Sequence, residues 1–175
     1  YLTGARGDAR QAAAQALSEG YDRVVAAGGD GTLNEVVNGV ASSCLPIAFL
    51  PLGTVNVFAL ETGIPMQLEQ ACALAVHGSP RSIALGKIGE EYFLLMVSAG
   101  WDAEAVARVR SGLKRWIGRL AYAVSALEVL LLQPPAPLEL LLPDGSCHIG
   151  FGVVVSNCHY YGGRYVVTPD ASLFR

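Results

Sequence analysis

A short apolar run that ends in a glycine pair and leads into a helix-start pattern most restricts what this chain can fold into. Residues 23–27 include two adjacent valines, and Gly28 and Gly29 follow them directly. Thr32 stands three residues before Glu35, which is the spacing of a capping box at a helix N-terminus. This order predicts a buried strand that turns sharply into a helix, the repeating unit of parallel α/β sheets.

Strand and helix patterns alternate through the first half of the chain. The predicted strands cover residues 23–27 and 46–50, and the predicted helices cover residues 8–19, 32–40, 55–62 and 66–77. This alternation favours an α/β fold class, with a parallel sheet and short crossovers. Because the chain opens on a predicted helix, we expect the first strand of this α/β domain, residues 1–80, to be missing.

Antiparallel patterns replace the alternation after residue 80. The predicted strands cover residues 81–87, 92–98, 138–142 and 148–156, and two predicted helices cover residues 102–110 and 117–132. The last two strands are separated by the turn residues Pro143, Asp144 and Gly145. We therefore predict a second, β-rich domain over residues 81–175 that is truncated at its C-terminus.

Composition and charge exclude several classes of protein. A formal net charge of −3 at pH 7 argues against nucleic acid as the main partner. The longest apolar run, residues 120–132, contains Glu128 and is shorter than the roughly 20 residues that span a bilayer. Cysteines without C-x-x-C spacing indicate reduced thiols, so we expect a cytoplasmic protein. A basic cluster over residues 108–119 fits either peripheral binding to an anionic membrane or a solvated helix face.

The loop Gly28-Gly29-Asp30-Gly31-Thr32 has the composition of a phosphate-binding turn. In open parallel sheets, ligands bind at the carboxyl ends of the strands, where this loop lies. Glycines let the backbone approach a phosphate, and the helix N-terminus adds a partial positive charge. The Asp30 carboxylate would repel phosphate unless it holds Mg²⁺ or takes a proton from an attacking hydroxyl, and phosphoryl transfer needs both. The alternative is a plain strand-to-helix turn.

A second glycine-containing loop, residues 51–56, follows the next predicted strand. Because it occupies the equivalent position one strand later, Gly53, Thr54 and Asn56 would face the same crevice as the first loop. Two such loops at adjacent strand ends suit a single phosphate-bearing ligand. The alternative for this loop alone is a helix start with Thr54 as its N-cap.

Other familiar catalytic motifs are absent from the sequence. It contains no G-x-x-x-x-G-K-[ST] and no G-x-G-x-x-G after a strand, so neither a P-loop enzyme nor a dinucleotide fold is supported. Ser98 does not lie in a G-x-S-x-G elbow. His77, His148 and His159 have no suitable nucleophile or carboxylate nearby in sequence, and we expect structural roles for them.

The order of these motifs resembles the catalytic domain of the diacylglycerol and related lipid kinases, a family whose glycine loops read GGDGT and P-x-GT-x-N. Residues 28–39 (GGDGTLNEVVNG) match the first loop and residues 51–56 (PLGTVN) match the second. Further matches are Thr3 with residues 7–9, residues 63–65 (GIP), residues 98–103 (SAGWDA), and Asn157 followed by a glycine pair and residues 168–171 (TPDA). Several motifs in the same order make the resemblance specific, and it covers nearly the whole chain.

By this resemblance the chain is a phosphotransferase that uses ATP and Mg²⁺, with an N-terminal α/β ATP-binding domain and a C-terminal β-sandwich. The acceptor is a lipid hydroxyl at the membrane surface, foremost that of diacylglycerol, which gives phosphatidate for phospholipid biosynthesis; a homodimer is a further expectation. The resemblance carries nucleotide contacts to Thr3, Gly28, Gly29, Asp30, Gly31, Thr32, Leu33, Asn34, Gly53, Thr54 and Asn56. It makes Asp30 the catalytic base or the contact to Mg²⁺-ATP, and it carries lipid contacts to Gly100 and Asp102.

Two other functions stay open on the sequence alone. One is a nucleotide-binding regulatory module that keeps the loops without catalysis, and the other is a soluble-substrate kinase of the NAD kinase type, which shares the GGDGT loop. The chain departs from the family pattern at Val57, where aspartate is frequent, and at Ala84, where the family usually begins Asp-x-Gly. The sequence does not reach the acidic residues that the family places later in its second domain. We expect no activity from these 175 residues as a whole polypeptide, and an active parent protein if they are part of a longer chain.

Overall fold

Two parallel strands form the centre of the α/β part. The computed structural model of the protein describes residues 1–101, 103 and 136–174. Strand β1 (Val24–Gly28) pairs in parallel with strand β2 (Ile47–Pro51), and the register sets Gly28 beside Pro51. Both predicted strands are confirmed, each shifted by one residue. Because the two strands end level with each other, both glycine loops leave the same edge of the sheet.

Four helices accompany these strands. They are α1 (Asp8–Ser18), α2 (Asp30–Val40), α3 (Val57–Thr62) and α4 (Leu68–His77). Helix α2 supplies the largest part of the core because its apolar residues recur at helical spacing along one face. The buried members of that face are Leu33, Val36, Val37 and Val40. Helix α2 thereby fixes the loop that precedes it against the hydrophobic core.

The capping box predicted for the start of α2 is wrong. The helix begins two residues before Thr32, at Asp30, with Gly29 as its N-cap and no side-chain hydrogen bond from the cap. The Glu35 Oε2 atom accepts a 3.0 Å hydrogen bond from the N–H group of Gly7 instead. Glu35 is therefore used to hold the segment before α1, and it is not available to reach back to the helix start.

Gly39 and Thr54 lie near the ends of predicted helices. Gly39 is inside α2, where a Cβ atom would lie 2.5 Å from the Arg10 carbonyl oxygen. The glycine is required because α1 and α2 approach closely there. Helix α3 begins at Val57 after Asn56, which is its N-cap, so Thr54 does not cap it.

Short strands make up the remainder of the described chain. They are β3 (Gly86–Ile88), β4 (Glu91–Phe93), β5 (Met96–Gly100), β6 (Leu138–Leu141), β7 (Cys147–Gly150), β8 (Gly152–Ser156), β9 (Tyr160–Tyr161) and β10 (Tyr165–Val166). Antiparallel pairs form between β3 and β4, β6 and β7, and β9 and β10, and β5 pairs with β8. The hairpin predicted around Asp144 is confirmed as β6–β7.

The other predicted strands are shorter or divided. Of the strand predicted over residues 81–87, only the last two residues lie in a strand, β3. The strand predicted over residues 92–98 is divided between β4 and β5. The strand predicted over 148–156 breaks between β7 and β8, because β7 pairs with β6 whereas β8 pairs with β5. Glycine residues on both sides of the break weaken a continuous strand. The predicted helices 102–110 and 117–132, with the basic cluster, lie outside the described residues.

Two compact units divide the chain. One comprises Tyr1–Leu95 with Ser156–Arg175, and the other comprises Met96–Val155. The first contains the parallel sheet and all four described helices, and the second contains the β6–β7 hairpin. The predicted domain boundary after residue 80 stays a prediction. Within the part of the chain that the structure describes, no helix is both long enough and apolar enough to cross a membrane.

Candidate nucleotide site

The two glycine loops contact each other through their backbones. The Gly28 carbonyl oxygen accepts hydrogen bonds from the N–H groups of Leu52, at 2.8 Å, and Gly53, at 3.0 Å. A Cβ atom added at Gly53 would lie 2.5 Å from the Gly29 Cα atom, a distance that real Cβ contacts do not reach. Glycine is needed at position 53 because the second loop packs directly on the first.

The Asn56 side chain holds the second loop in shape. This residue is 5% exposed and has a left-handed backbone, with a φ angle of 55°. Its Oδ1 atom accepts from the Gly53 N–H group at 2.9 Å, and its Nδ2 atom donates to the carbonyl oxygens of Pro51 and Gly53 at 3.0 and 2.9 Å. The amide group that we predicted to contact a nucleotide is therefore bonded to the loop itself.

Asp30 ties the first loop to the helix that follows the second. Its Oδ2 atom accepts from the Val57 N–H group at 2.9 Å, and its Oδ1 atom accepts from the Phe58 N–H group at 3.0 Å. These N–H groups belong to the first turn of α3, which has no acceptor for them inside the helix. A carboxylate offers about four acceptor positions, so each Asp30 oxygen can accept one further bond.

The first turn of α2 presents backbone donors at the same place. The first bond to the α2 backbone runs from the Leu33 N–H group to the Gly29 carbonyl oxygen, at 3.1 Å. The N–H groups of Asp30, Gly31 and Thr32 precede it and have no acceptor within the helix. Together with the helix dipole, such donors favour an anion. The Leu33 side chain is only 2% exposed, so its part is in the core.

Asn34 bonds in a different direction. Its Oδ1 atom accepts from the Leu94 N–H group at 3.0 Å. One turn later, the Asn38 Oδ1 atom accepts from the Tyr92 N–H group at 2.9 Å, and its Nδ2 atom donates to the Tyr92 carbonyl oxygen at 2.8 Å. The two amides, four residues apart on one face of α2, bond the backbone of residues 92–94. Sequence reasoning missed Asn38, although its spacing from Asn34 was the available signal.

The segment around Thr3 is held near α2 by other bonds. The Asp8 carboxylate accepts from the N–H groups of Gly4, at 2.8 Å, and Ala5, at 2.9 Å, and these bonds lower the pKa of Asp8. The Gly7 bond to Glu35 connects this segment to α2. Thr3 and Thr54 are both exposed, so their hydroxyl groups are accessible to a ligand.

The residues predicted to bind substrate belong to the second unit. Gly100, at the end of β5, has a φ angle of 84°, and a Cβ atom there would lie 2.5 Å from the Phe151 carbonyl oxygen. Glycine is therefore required for the close approach between these two segments. Asp102 lies outside the described residues. The buried Nε1 atom of Trp101 has no hydrogen-bond partner among the residues that the structure describes.

The acidic residue Glu61, whose side chain is buried, was not predicted from the sequence. Its side chain is 4% exposed and accepts hydrogen bonds from the backbone N–H group of His159, at 3.0 Å, and from the ring Nδ1 atom of the same residue. The partners are 98 positions apart, so no sequence spacing signals the pair. The neighbouring Cys158 is buried, and burial, together with the charges of Glu61 and Asp30, raises the pKa of its thiol.

No preformed metal cluster accompanies these residues. In the described ranges, no group of three or more histidine, cysteine, aspartate or glutamate side chains is arranged to hold a metal ion. Asp30 is the carboxylate that lies at the joined glycine loops. A magnesium ion in a kinase is commonly held by one or two carboxylates together with substrate phosphates. The donor set at Asp30 fits that requirement.

Comparison with known proteins gives a consistent result. The family model of the diacylglycerol kinase catalytic domain matches residues 1–88. A diacylglycerol kinase of Bacillus subtilis is 36% identical over 99% of this chain and 58% of its own length. A diacylglycerol kinase of Staphylococcus aureus is 36% identical over 99% of this chain and 56% of its own length.

A solved structure agrees with the sequence relatives. The crystal structure of a diacylglycerol kinase from Bacillus anthracis matches with a TM-score of 0.70 and 27% identity, over 98% of this chain and 56% of that one. The chain thus spans somewhat more than half the length of these relatives, at 58% of the Bacillus subtilis protein. The family model covers β1, β2, the four helices and both glycine loops. The chain belongs to the diacylglycerol kinase catalytic domain family.

Proposed function

We propose that this chain carries the nucleotide-binding part of an ATP-dependent lipid kinase, which transfers the γ-phosphoryl group of ATP to a lipid hydroxyl. The observation that supports this function most directly is the pair of glycine loops in contact at the carboxyl ends of β1 and β2, with the Asp30 carboxylate beside them. The names of the relatives favour diacylglycerol as the acceptor. The product would then be phosphatidate.

The proposed nucleotide contacts are mainly backbone groups. The unpaired N–H groups of Asp30, Gly31 and Thr32 would donate to phosphate oxygens, as helix N-termini do in other phosphate sites. The absence of side chains at Gly29 and Gly53 lets the phosphates approach the backbone closely. Hydroxyl groups of Thr3, Thr32 and Thr54 would add donors around them. Asn34 and Asn56 would act by holding these loops in place, because their amides already bond the protein backbone.

Asp30 would supply the acidic chemistry of the site. Each of its oxygens accepts one backbone bond and keeps one acceptor position. One of these two free positions would hold Mg²⁺ or accept the proton of the lipid hydroxyl. Magnesium, when bound, neutralises the charge that develops on the phosphoryl oxygens. The backbone bonds keep the carboxylate oriented while it performs either task.

The acceptor side of the proposal rests on the second half of the chain. We propose the two-domain architecture of the family, with residues 1–80 as the α/β ATP-binding domain and residues 81–175 as part of a β-sandwich. Gly100 and Asp102 would contact the lipid. The basic residues between positions 108 and 119 would draw the protein to the anionic inner face of the membrane, where it acts as a peripheral protein.

A labelled-ATP assay with a panel of acceptors tests this function. The full-length protein is incubated with γ-labelled ATP, Mg²⁺ and either diacylglycerol, sphingosine, ceramide, phosphatidylglycerol or NAD. We expect label in phosphatidate, and no label when Mg²⁺ is chelated. Label in NAD alone would overturn the lipid acceptor. Binding of ATP without any labelled product would indicate a regulatory module and overturn the kinase assignment.

A further inference from the structure

Helix α3 is held at both ends by carboxylates. At six residues it is too short to be stable by itself, since isolated helices need on the order of 12 residues or more. Its first N–H groups bond Asp30, and its penultimate residue, Glu61, bonds His159. The position of α3 is therefore determined by these two attachments as well as by packing of its buried Ala59.

The Glu61 carboxylate needs hydrogen-bond donors because it is buried. A buried charge is tolerated only when donors or an opposite charge surround it. Here His159 supplies both the backbone N–H group and the ring Nδ1 atom. The Glu61 side chain is 4% exposed, whereas the His159 side chain is 41% exposed, so the ring covers the carboxylate from the solvent side.

The backbone at His159 is itself bonded to the residues that follow β10. Its carbonyl oxygen accepts from the Val167 N–H group at 3.1 Å, and the Thr168 hydroxyl donates to the carbonyl oxygen of neighbouring Cys158 at 2.6 Å. Strand β9, which begins at the next residue, packs on α3. All of these residues belong to the same compact unit as α3.

We propose that Glu61 and His159 form a positioning pair for the nucleotide loops. The pair holds α3 where its first two N–H groups meet Asp30, and so it orients the Asp30 carboxylate without touching the nucleotide. The effect of the pair on ATP binding rests on the proposed function, whereas its effect on the position of α3 does not. In this proposal His159 positions α3 in addition to packing against its neighbours.

Variants of His159 distinguish the positioning of α3 from a general effect on protein stability. His159→Ala removes the ring donor, and His159→Asn keeps an N–H group near the Nδ1 position. His148→Ala is the matched control, because His148 is an exposed histidine outside the pair. Amide hydrogen exchange of the peptide that covers residues 55–62, followed by mass spectrometry, reports on α3 in the full-length protein without nucleotide. The KM for ATP in the lipid assay reports on the site.

The expected result is selective loosening of α3. In His159→Ala, exchange at the amides of Val57 and Phe58 should rise about tenfold, as the loss of a bond to a charged group implies, while peptides from α1 stay unchanged. The KM for ATP should rise at least about fivefold, with the KM for lipid unaltered. His159→Asn should recover most of both effects, and the control should show neither. A purely structural role would lower the melting temperature without changing the KM.

Different results would contradict the positioning role of the pair and the proposed function of the protein. Unchanged exchange in residues 55–62 of His159→Ala, or an equal rise in every peptide, would overturn the positioning role. If the wild-type protein neither binds ATP nor labels lipid, the proposed function fails, and the exchange data still decide the role of the pair. Should His159→Ala not fold, Glu61→Gln keeps the volume and removes the charge. Exchange identical to that of the wild type in Glu61→Gln would then contradict the proposal.

Discussion

Asp30 joins the first glycine loop to helix α3 through one carboxylate. Its oxygens accept the N–H groups of Val57 and Phe58, at 2.9 and 3.0 Å, so a residue of α2 satisfies the first turn of α3. Sequence reasoning explains this carboxylate beside a phosphate loop by metal or proton chemistry alone. The two hydrogen bonds from the α3 backbone give Asp30 a structural role as well. A substitution at Asp30 is therefore expected to affect the fold and the chemistry together.

Asp30→Asn should show both effects. The amide keeps one acceptor oxygen but turns an NH₂ group toward a backbone N–H group, so we expect about 2 kcal/mol lower stability, the worth of a hydrogen bond to a charged group. Lipid phosphorylation should fall on the order of 100-fold or more, because the site loses its charge. Denaturant unfolding and turnover measured on the same preparation check this. Full turnover would exclude a chemical role for Asp30.

Helices and strands were predictable where a local pattern determines them. The strands β1 and β2, the four helices and the β6–β7 hairpin follow from apolar spacing, glycine positions and turn residues. The bonds that join elements were not predictable. Glu35 bonds Gly7, 28 positions away, and Asn34 bonds Leu94, 60 positions away. Because distant backbone groups compete for the same side chains, the predicted capping box failed.

Gly53→Ala tests the contact between the glycine loops. The added Cβ would lie 2.5 Å from the Gly29 Cα atom, so the loops must separate. We expect a loss of about 1–3 kcal/mol, typical of overpacking. Gly31→Ala is the control, because no atom lies within 4 Å of its Cβ position. Thermal unfolding of the two variants should therefore differ, and equal melting temperatures would mean that the loops do not pack as described.

At the scale of the whole molecule, the candidate nucleotide site described above lies within one compact unit. The glycine loops, Asp30 and α3 all lie within the unit that contains Tyr1–Leu95, whereas Gly100 belongs to the other unit and Asp102 lies outside the described residues. The relatives extend well beyond the matched region, since the chain covers 58% of the Bacillus subtilis protein. Motifs predicted the two glycine loops, whereas the bonded pair of Glu61 and His159 is apparent only in the tertiary structure.

Thiol labelling reports on the folding of both units, because Cys147 lies in the unit Met96–Val155 and the other cysteines lie in the first unit. Burial raises the pKa of Cys158, and a hydrogen bond from its thiol to Glu139 raises the pKa of the exposed Cys147. Since the thiolate is the reactive form, Cys44 and Cys72 should react first, Cys147 more slowly, and Cys158 only after unfolding. Alkylation at increasing urea, read by mass spectrometry, checks this order. Rapid labelling of Cys158 in the native protein would contradict the described core.

The binding of Mg²⁺-ATP to variants of Gly31 tests the central claim most directly. Gly31→Glu adds a carboxylate at the first turn of α2, where open space surrounds the position. A negative charge there stabilises the helix but repels phosphate. By calorimetry on the full-length protein, we expect the wild type to bind and Gly31→Glu to bind at least about tenfold more weakly, with an equal or higher melting temperature. Equal affinity in the wild type and Gly31→Glu, or no binding by the wild type, would contradict a nucleotide site at the glycine loops.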